Sequence, residues 1–403
     1  MFSLRVVSKR GIGAVKRALS TDVKAEGTAL FDFHVENGGK IVNFGGFLLP
    51  VQYSDLSIVN SHLFTRKSAS LFDVSHMLQT EIYGKDCVEY IESVCTADIK
   101  GLQNHAAVLT VFTNEQGGIL DDLIVTKVAG DRLYVVSNAA RKHHDQQHLL
   151  KALENHRKRN PSTDIKLRFY EPMEKGLLAL QGPKASEALQ SLTDVDLTQL
   201  YFMNSTVGNV AGIHNCRITR CGYTGEDGFE IAMKASNAVK LATRLLTNEN
   251  VRLAGLGARD SLRLEAGLCL YGNDITSKTT PVEAALTWLV AKRRRELKDF
   301  PGAETILRQI KEGSSVKRVG LVSDKGPPAR QGASILSTEG QELGKVTSGC
   351  PSPSLGGNIA MGYVPTNYGK IGTKVSLKIR DKLYDAVVTK MPFVKANYYN
   401  RPK

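Results

Sequence analysis

Two acids stand side by side inside an apolar run, Gly117-Gly118-Ile119-Leu120-Asp121-Asp122-Leu123-Ile124-Val125. Such a run predicts a strand, and two acids in its middle break the local pattern in the way functional residues do. Alternation sends Asp121 and Asp122 to opposite faces, so at most one of them lines a given pocket. A carboxyl group held there could take or give a proton, work worth roughly 10²–10⁴ in rate. The competing reading is an acid pair on an exposed edge. A third acid, Glu230, lies between Phe229 and Ile231. If those two face a core, Glu230 is aimed the other way from a rigid element. A carboxylate so held suits a flat ligand edge with two N–H donors, such as a pterin presents, because paired charge-assisted hydrogen bonds fix strength and orientation together. A solvated glutamate on an edge strand is the alternative. Arg259 and Arg263 share a helical face at i,i+4, and Asp260 can pair with Arg263. They could anchor an anion such as a carboxylate tail, or serve as structural ion pairs. Tyr398 and Tyr399 could stack on a ring or seal a core. His76 reads as a hydrogen-bonded structural histidine.

These residues need carriers. Thr224-Gly225-Glu226-Asp227-Gly228 predicts a tight hairpin corner between the run ending near Thr219 and the run from Phe229. Asn114–Gly118 predicts a second hairpin, between a strand at 107–112 and the Asp121 strand. Leu133–Ser137 is a further strand closed by Asn138, and the polar helix after it (140–157) reads as a solvated face. Glycine pairs at 38–39 and 45–46 bracket a short strand, and Pro50 is expected to end the next one. A second unit is expected from residue 166, with a strand at 176–180 and a helix opened by Pro183. Helices follow at 235–247 and through Arg259. Thr280-Pro281-Val282-Glu283 has the form of a capping box at a helix start. From 316 onward six short β runs separated by turns imply a small sandwich or barrel, with Ser348–Pro353 a loop inside it.

At 403 residues the chain can hold two or three cores, and 42% hydrophobic with 23% charged residues is ordinary for a globular protein. No apolar run approaches a membrane span. The formal charge is +13, of which Arg5, Lys9, Arg10, Lys16 and Arg17 contribute 5, leaving 13 − 5 = +8 for the rest. Residues 1–21 hold no acid before Asp22, and this serine-containing opening has the composition of a mitochondrial transit peptide, bounded at about 1–25. Gly11-Ile12-Gly13 is not a dinucleotide loop, since no strand precedes it. The six cysteines show no C-x-x-C pair or zinc spacing, which suits reduced thiols in a matrix enzyme. Lys292-Arg293-Arg294-Arg295 with Lys298 is the densest positive patch, either a docking site for an acidic partner or a solvated loop. Nucleic acid is disfavoured because no aromatic platform or reading motif accompanies it.

Taken in order, Pro50–Tyr53, Leu71–Met77, Gly117–Asp122, Leu180–Pro183, Arg220–Glu230, Ala258–Asp274, Thr280–Glu283, Ser348–Pro353 and Lys390–Val394 resemble the aminomethyltransferase family, the T-proteins of the glycine cleavage system. The resemblance covers essentially everything after the leader. It implies an α+β cloverleaf of three domains around a central folate pocket. Two of them (26–165 and 166–312) contain ferredoxin-like α+β elements, and the third (313–403) is a jelly-roll-like β domain. It further implies transfer of an aminomethyl group from the lipoyl arm of the H-protein to tetrahydrofolate in the mitochondrial matrix, with no metal. By motif position it makes Asp122 the catalytic carboxylate near N10 of folate. Glu230 then binds the pterin edge, Arg259 and Tyr398 belong to the folate site, and Met77 and Asn138 to the pocket wall. Asn60-Ser61-His62 departs from the Glu-Glu-His common in that family. A folate-binding iron–sulfur cluster assembly factor of the same fold is the rival, but its Lys-Gly-Cys-Tyr-x-Gly-Gln-Glu signature is absent. The folate half of a dimethylglycine or sarcosine dehydrogenase would need a flavin-binding Gly-x-Gly-x-x-Gly, and none occurs.

Overall fold

The computed structural model describes residues 25–402, so the transit-peptide expectation lies outside the described residues apart from Ala25. Among the described residues, four sheets make up the β structure. A five-stranded antiparallel sheet runs in the order Ala107–Thr113, Ile119–Ala129, Arg132–Ser137, Leu78–Tyr83, Lys166–Tyr170. A six-stranded sheet runs Ser205–Val210, Ile213–Thr219, Gly228–Lys234, Lys175–Gln181, Ala69–Asp73, Val251–Leu253. Its last pairing alone is parallel. A small sheet of Glu26–Gly27, Phe47–Tyr53 and Gly39–Phe44 stands beside them.

The two large sheets present alternate faces to different surroundings. On the five-stranded sheet Leu123, Val125, Leu133 and Val135 pack under Tyr90 and Ile91 of the helix Cys87–Glu92 and Leu149 and Leu153 of the helix Lys142–Arg159. On the six-stranded sheet Leu178, Leu180, Phe229 and Ile231 pack under the helices Ala185–Gln190 and Ala238–Leu246. The opposite faces meet each other. Tyr134 and Val136 of the first sheet share a cluster with Phe72, Leu177, Ala179 and Ala232 of the second and with Ala258 and Leu262 of the helix Leu256–Glu265. Period-2 alternation therefore decides which residues look into the seam between the sheets.

The C-terminal region closes into a six-stranded barrel, in the order Val316–Ser323, Asn358–Pro365, Glu342–Pro351, Ser334–Leu336, Lys374–Ile379, Lys382–Thr389. Closure leaves no strand edge unpaired. Leu321, Ile335, Val346, Val364 and Leu377 fill its interior.

Several expectations are corrected. The strand Phe47–Tyr53 runs through Pro50, which sits opposite Ile41 beside a register shift, where a missing N–H is tolerated. A boundary near 166 does not separate the sheets: Lys166–Tyr170 pairs with Leu78–Tyr83 in the first, while Ala69–Asp73 lies inside the second. The helix after Asn138 is not wholly solvated, since Lys142, Asp145, Leu149 and Leu153 are buried. The capping-box bonds form, Thr280 N to Glu283 Oε2 at 2.9 Å and Glu283 N to Thr280 Oγ1 at 3.2 Å, but no α-helix starts there, the next being Lys292–Leu297. The chain turns through Ala285 at φ +56°, and Arg318 takes the Glu283 and Ala284 carbonyls. Ser348–Pro351 is strand rather than loop.

The three arginines of the positive run are engaged within the protein, while Lys292 and Lys298 are exposed. Arg294 is fully buried, donating to Asp299 Oδ1 at 2.8 Å and to the carbonyls of Glu92 and Ala97. Arg293 binds Asp98 and Glu92, and Arg295 binds the carbonyls of Val290 and Thr287. Those guanidiniums hold the segment down.

Candidate active site

Asp121 and Asp122 do leave opposite faces of their strand. Asp121 goes to the helix side and is fully buried, while Asp122 is half-buried on the seam side with Ile124 and Thr126. Asn138, the residue that ends the neighbouring strand, bridges both. Its Nδ2 donates to Asp121 Oδ1 and to Asp122 Oδ1, each at 2.9 Å, and its backbone N–H donates to Asp121 Oδ2 at 3.0 Å. Burial pushes the Asp122 carboxyl up to about 7, reinforced by the negative field of Asp121 and partly offset by the Asn138 hydrogen bond. Asp121 is also pushed up, first by burial and then by Asp145 on the helix above it. Asp145 is raised in turn by burial, to about 6.

Glu230 looks into the same seam from the other sheet. Its strand pairs with Ile213–Thr219 through Thr219↔Glu230 and Arg217↔Ala232, while Phe229 and Ile231 are buried in the core beneath. A small hollow is lined by Ile124, Thr126 and Tyr134 from one sheet and Arg217, Cys221 and Glu230 from the other. Burial raises the Glu230 carboxyl above its ordinary range, against the opposing effect of Arg259 and the Cys221 thiol. Alternation puts Asp122 on the strand face of Ile124 and Thr126, which line that hollow, although Asp122 is not itself among its lining residues.

Arg259 and Arg263 part company. Arg263 is a structural ion pair, bound to Asp260 Oδ1 at 2.9 Å, Asp274 Oδ2 at 2.7 Å and Ser348 Oγ at 2.9 Å. Arg259 lies over the Tyr223 ring, 4.9 Å from its centroid, and its buried Nη1 has no hydrogen-bond partner. It also lines a second small hollow with Leu49, Phe72, Asp73 and Gly255. Tyr223 lies within the electrostatic reach of Asp122 on one side and Arg259 on the other. Met77 packs against the seam cluster that includes Tyr134, Val136 and Leu177.

Tyr398 is not part of the lining of either hollow. It stacks on Phe202 at 4.1 Å with rings 9° apart, and the adjoining Tyr399 stacks on Tyr201 at 5.5 Å. Asn397 fastens this tail to the hairpin loop, its N–H to Gly225 O at 2.8 Å and its Nδ2 to Glu226 Oε2 at 3.1 Å. His76 is buried against Phe44 and Phe47 with no partner on Nδ1, so the hydrogen-bonded role expected for it is corrected. Burial pushes its imidazole down to about 4, and Arg259 adds to the effect while Asp73 opposes it. The six cysteines are buried and unbridged. Arg217, Tyr223 and Asp145 were not singled out from sequence. Arg217 alternates with apolar neighbours and Asp145 lies on a polar helix, patterns that read as a solvated face, while Tyr223 lies among turn residues.

Family comparison now decides the class. The chain matches the GCVT N-terminal domain over residues 30–294 and the glycine cleavage T-protein C-terminal barrel domain over residues 317–395. The chain belongs to the glycine cleavage T-protein family. It is 54% identical over 375 residues to the mitochondrial aminomethyltransferase of Mus musculus, covering 92% of this chain and 91% of that protein. It is 50% identical over 398 residues to the mitochondrial aminomethyltransferase of Solanum tuberosum, covering 98% and 96%. A crystal structure of the glycine cleavage system aminomethyltransferase T from Bartonella henselae superposes with a TM-score of 0.86 at 39% identity, covering 93% of this chain and all of that one. The enzyme class is therefore aminomethyltransferase, a transferase of the glycine cleavage system. The expected α+β class with a C-terminal β domain agrees with these matches, the β domain being a closed barrel.

Proposed function

We propose that this T-protein transfers the aminomethyl group carried by the lipoyl arm of the H-protein to tetrahydrofolate. The products are 5,10-methylenetetrahydrofolate, ammonia and dihydrolipoyl H-protein. The mitochondrial names of its relatives and the basic leader support action in the mitochondrial matrix. What supports the reading is the placement of two acids: Glu230 lines the hollow from one sheet, and Asp122 lies on the strand whose Ile124 and Thr126 line it from the other.

Glu230 receives the donor edge of the pterin, which fixes the ring's orientation by two charge-assisted hydrogen bonds. Asp122, with a carboxyl that titrates near 7, is suited to take a proton at one step and return it at another. The balance requires both roles. N5 and N10 of tetrahydrofolate each lose a proton as they bond to the methylene carbon, the C–N and C–S bonds break, and the two protons leave on ammonia and the lipoyl thiol. Asn138, donating to Asp122 Oδ1, holds that carboxyl in place. Orienting N5 against the methylene carbon supplies further acceleration through proximity. Arg259, with its open Nη1, and Tyr398, on the tail fastened to the hairpin loop, belong to the outer part of the folate site. Met77 forms wall.

The test is two-part. Tetrahydrofolate is titrated into the purified chain, and methylenetetrahydrofolate formation is then followed with lipoylated H-protein. Binding and turnover together support the assignment, whereas folate binding with no turnover in the presence of H-protein rejects it in favour of a folate-dependent assembly role.

A further inference from the structure

Arg217 is a cation without employment in the free protein. Only 7% of it is exposed, and its Nη1 has no hydrogen-bond partner. Its guanidinium lies over the Tyr134 ring, 5.0 Å from the centroid. Glu81, an acid whose field reaches it, is already held by Arg132 at 3.1 Å and Lys175 at 3.4 Å. A buried charge lacking a partner is unfavourable, and an apolar side chain of similar volume is often at least as stable in its place. The guanidinium therefore has no evident structural use, and its surroundings show where a ligand could supply one. Arg217 lines the same hollow as Glu230, Thr219 and Cys221. Through the Arg217↔Ala232 and Thr219↔Glu230 register it is the diagonal neighbour of Glu230 on one sheet face. Such neighbours lie roughly 7–8 Å apart, within reach of long side chains.

The donor edge of a 4-oxo pterin does not end with its donors. In order it presents the 2-amino N–H, the N3 N–H and the C4 carbonyl oxygen. A carboxylate complements the first two and leaves the third facing whatever stands beside it. A planar, permanently charged group stacked on an aromatic ring and offering a free N–H is suited to that acceptor. We propose that Arg217 reads the C4 oxygen of the pterin whose N–H edge Glu230 reads, making it a residue that selects 4-oxo over 4-amino pterins. A 4-amino ring would turn a donor toward the guanidinium. The inference rests on the folate reading of the hollow and adds a second polar determinant to it.

Three probes separate the possibilities: tetrahydrofolate, its 4-amino-4-deoxy counterpart, and a tetrahydropterin lacking the aminobenzoylglutamate tail. Their dissociation constants are measured on the full chain and on Arg217→Met and Arg217→Lys. Losing one hydrogen bond to a charged group should weaken tetrahydrofolate and the tail-less pterin by roughly ten- to a hundredfold in Arg217→Met. The 4-amino compound should change by less than about threefold, so that the wild type's preference for 4-oxo rings shrinks by roughly ten- to a hundredfold; what remains belongs to Glu230, which meets an unprotonated N3 in the 4-amino ring. The Met variant should unfold at the same temperature as wild type or higher; a lower one would show a structural role and count against the proposal. Equal losses for the 4-oxo and 4-amino rings would overturn it. So would a loss confined to the tailed ligand, which would make Arg217 a reader of the tail carboxylates. If the Met variant does not fold, Arg217→Lys decides: a reduced 4-oxo preference supports the proposal and an unchanged one rejects it. Failure of the folate reading itself shows differently, as absence of tetrahydrofolate binding by the wild type.

Discussion

Asp122 is a carboxyl whose proton affinity has been raised into the working range by position, not by identity. Burial and the adjacent Asp121 lift it to about 7. Replacing Asp122 with Asn should lower turnover with H-protein by roughly 10²–10⁴ while leaving tetrahydrofolate affinity within about threefold. Steady-state kinetics alongside equilibrium titration checks this, and wild-type turnover in the variant would reject the proton role. The same shift has a stability consequence. A group that binds its proton more tightly when folded contributes most below its unfolded value near 4, and that contribution is lost as pH rises through about 7. The unfolding temperature of Asp122→Asn should therefore gain on wild type between pH 5 and pH 8. Glu230→Gln should weaken tetrahydrofolate binding roughly ten- to a hundredfold, because one of two charge-assisted bonds becomes a mismatched amide contact. Unchanged affinity would mean that Glu230 does not contact the pterin. At this scale the sequence shows its exceptions well. An acid pair in an apolar strand and a glutamate between Phe229 and Ile231 stand out. Arg217 and Asp145 do not, because their burial comes from a facing sheet and a covering helix that local pattern cannot announce.

The helix Leu256–Glu265 carries Arg259 to the site and is anchored by its last residue. Glu265 accepts hydrogen bonds from His62 at 3.0 Å, Arg66 at 2.9 Å, and the Ser352 and Ser354 hydroxyls at 2.6 and 2.8 Å. One carboxylate thus joins this helix to the helix Ile58–Lys67 and to the barrel. Burial alone would raise its pKa, but the bonds from His62 and Ser352 outweigh it and hold it down at about 2. A depressed carboxylate stabilises above its unfolded value near 4.3, and that stability is lost as pH falls toward 2. Glu265→Gln should therefore cost about 3–5 kcal/mol at pH 7 and flatten the acid limb of the unfolding curve between pH 4 and pH 2. Denaturant melts at successive pH values would show it; a parallel acid limb would contradict the anchoring role. Elements were largely legible, since apolar alternation and glycine turns marked all six barrel strands and both hairpins. Pro50 and the Thr280 capping box were misread for one reason. Tertiary partners, a register irregularity in the first case and Arg318 in the second, overrode a local rule.

The proposed folate site lies in a seam between two sheets, each backed by its own helices, with a barrel and a C-terminal tail fastened alongside. Sequence order hides that arrangement, because the strands Ala69–Asp73 and Lys166–Tyr170 each join the sheet that neighbouring sequence would not suggest. The three-part division at 26–165, 166–312 and 313–403 remains our proposal for folding units, with those two strands exchanged between the first pair. Charge acts at this scale as well. Outside the leader the chain carries +8, which favours encounter with an acidic lipoyl carrier. Arg293, Arg294 and Arg295 are occupied internally, so that field is distributed over the surface. The kcat/KM for H-protein should fall as salt rises from 0.05 to about 0.5 M, because exposed charges are screened over roughly 10 Å at 0.1 M. Arg294→Met should change unfolding and not that salt dependence; a salt-independent kcat/KM would remove electrostatic docking from the account. The most direct test of the whole is a crystal structure of the chain soaked with tetrahydrofolate. The pterin edge should lie within hydrogen-bond distance of the Glu230 carboxylate while N10 faces Asp122 across the seam. A ligand seated elsewhere, or one touching only one of those two acids, would contradict a single shared folate site.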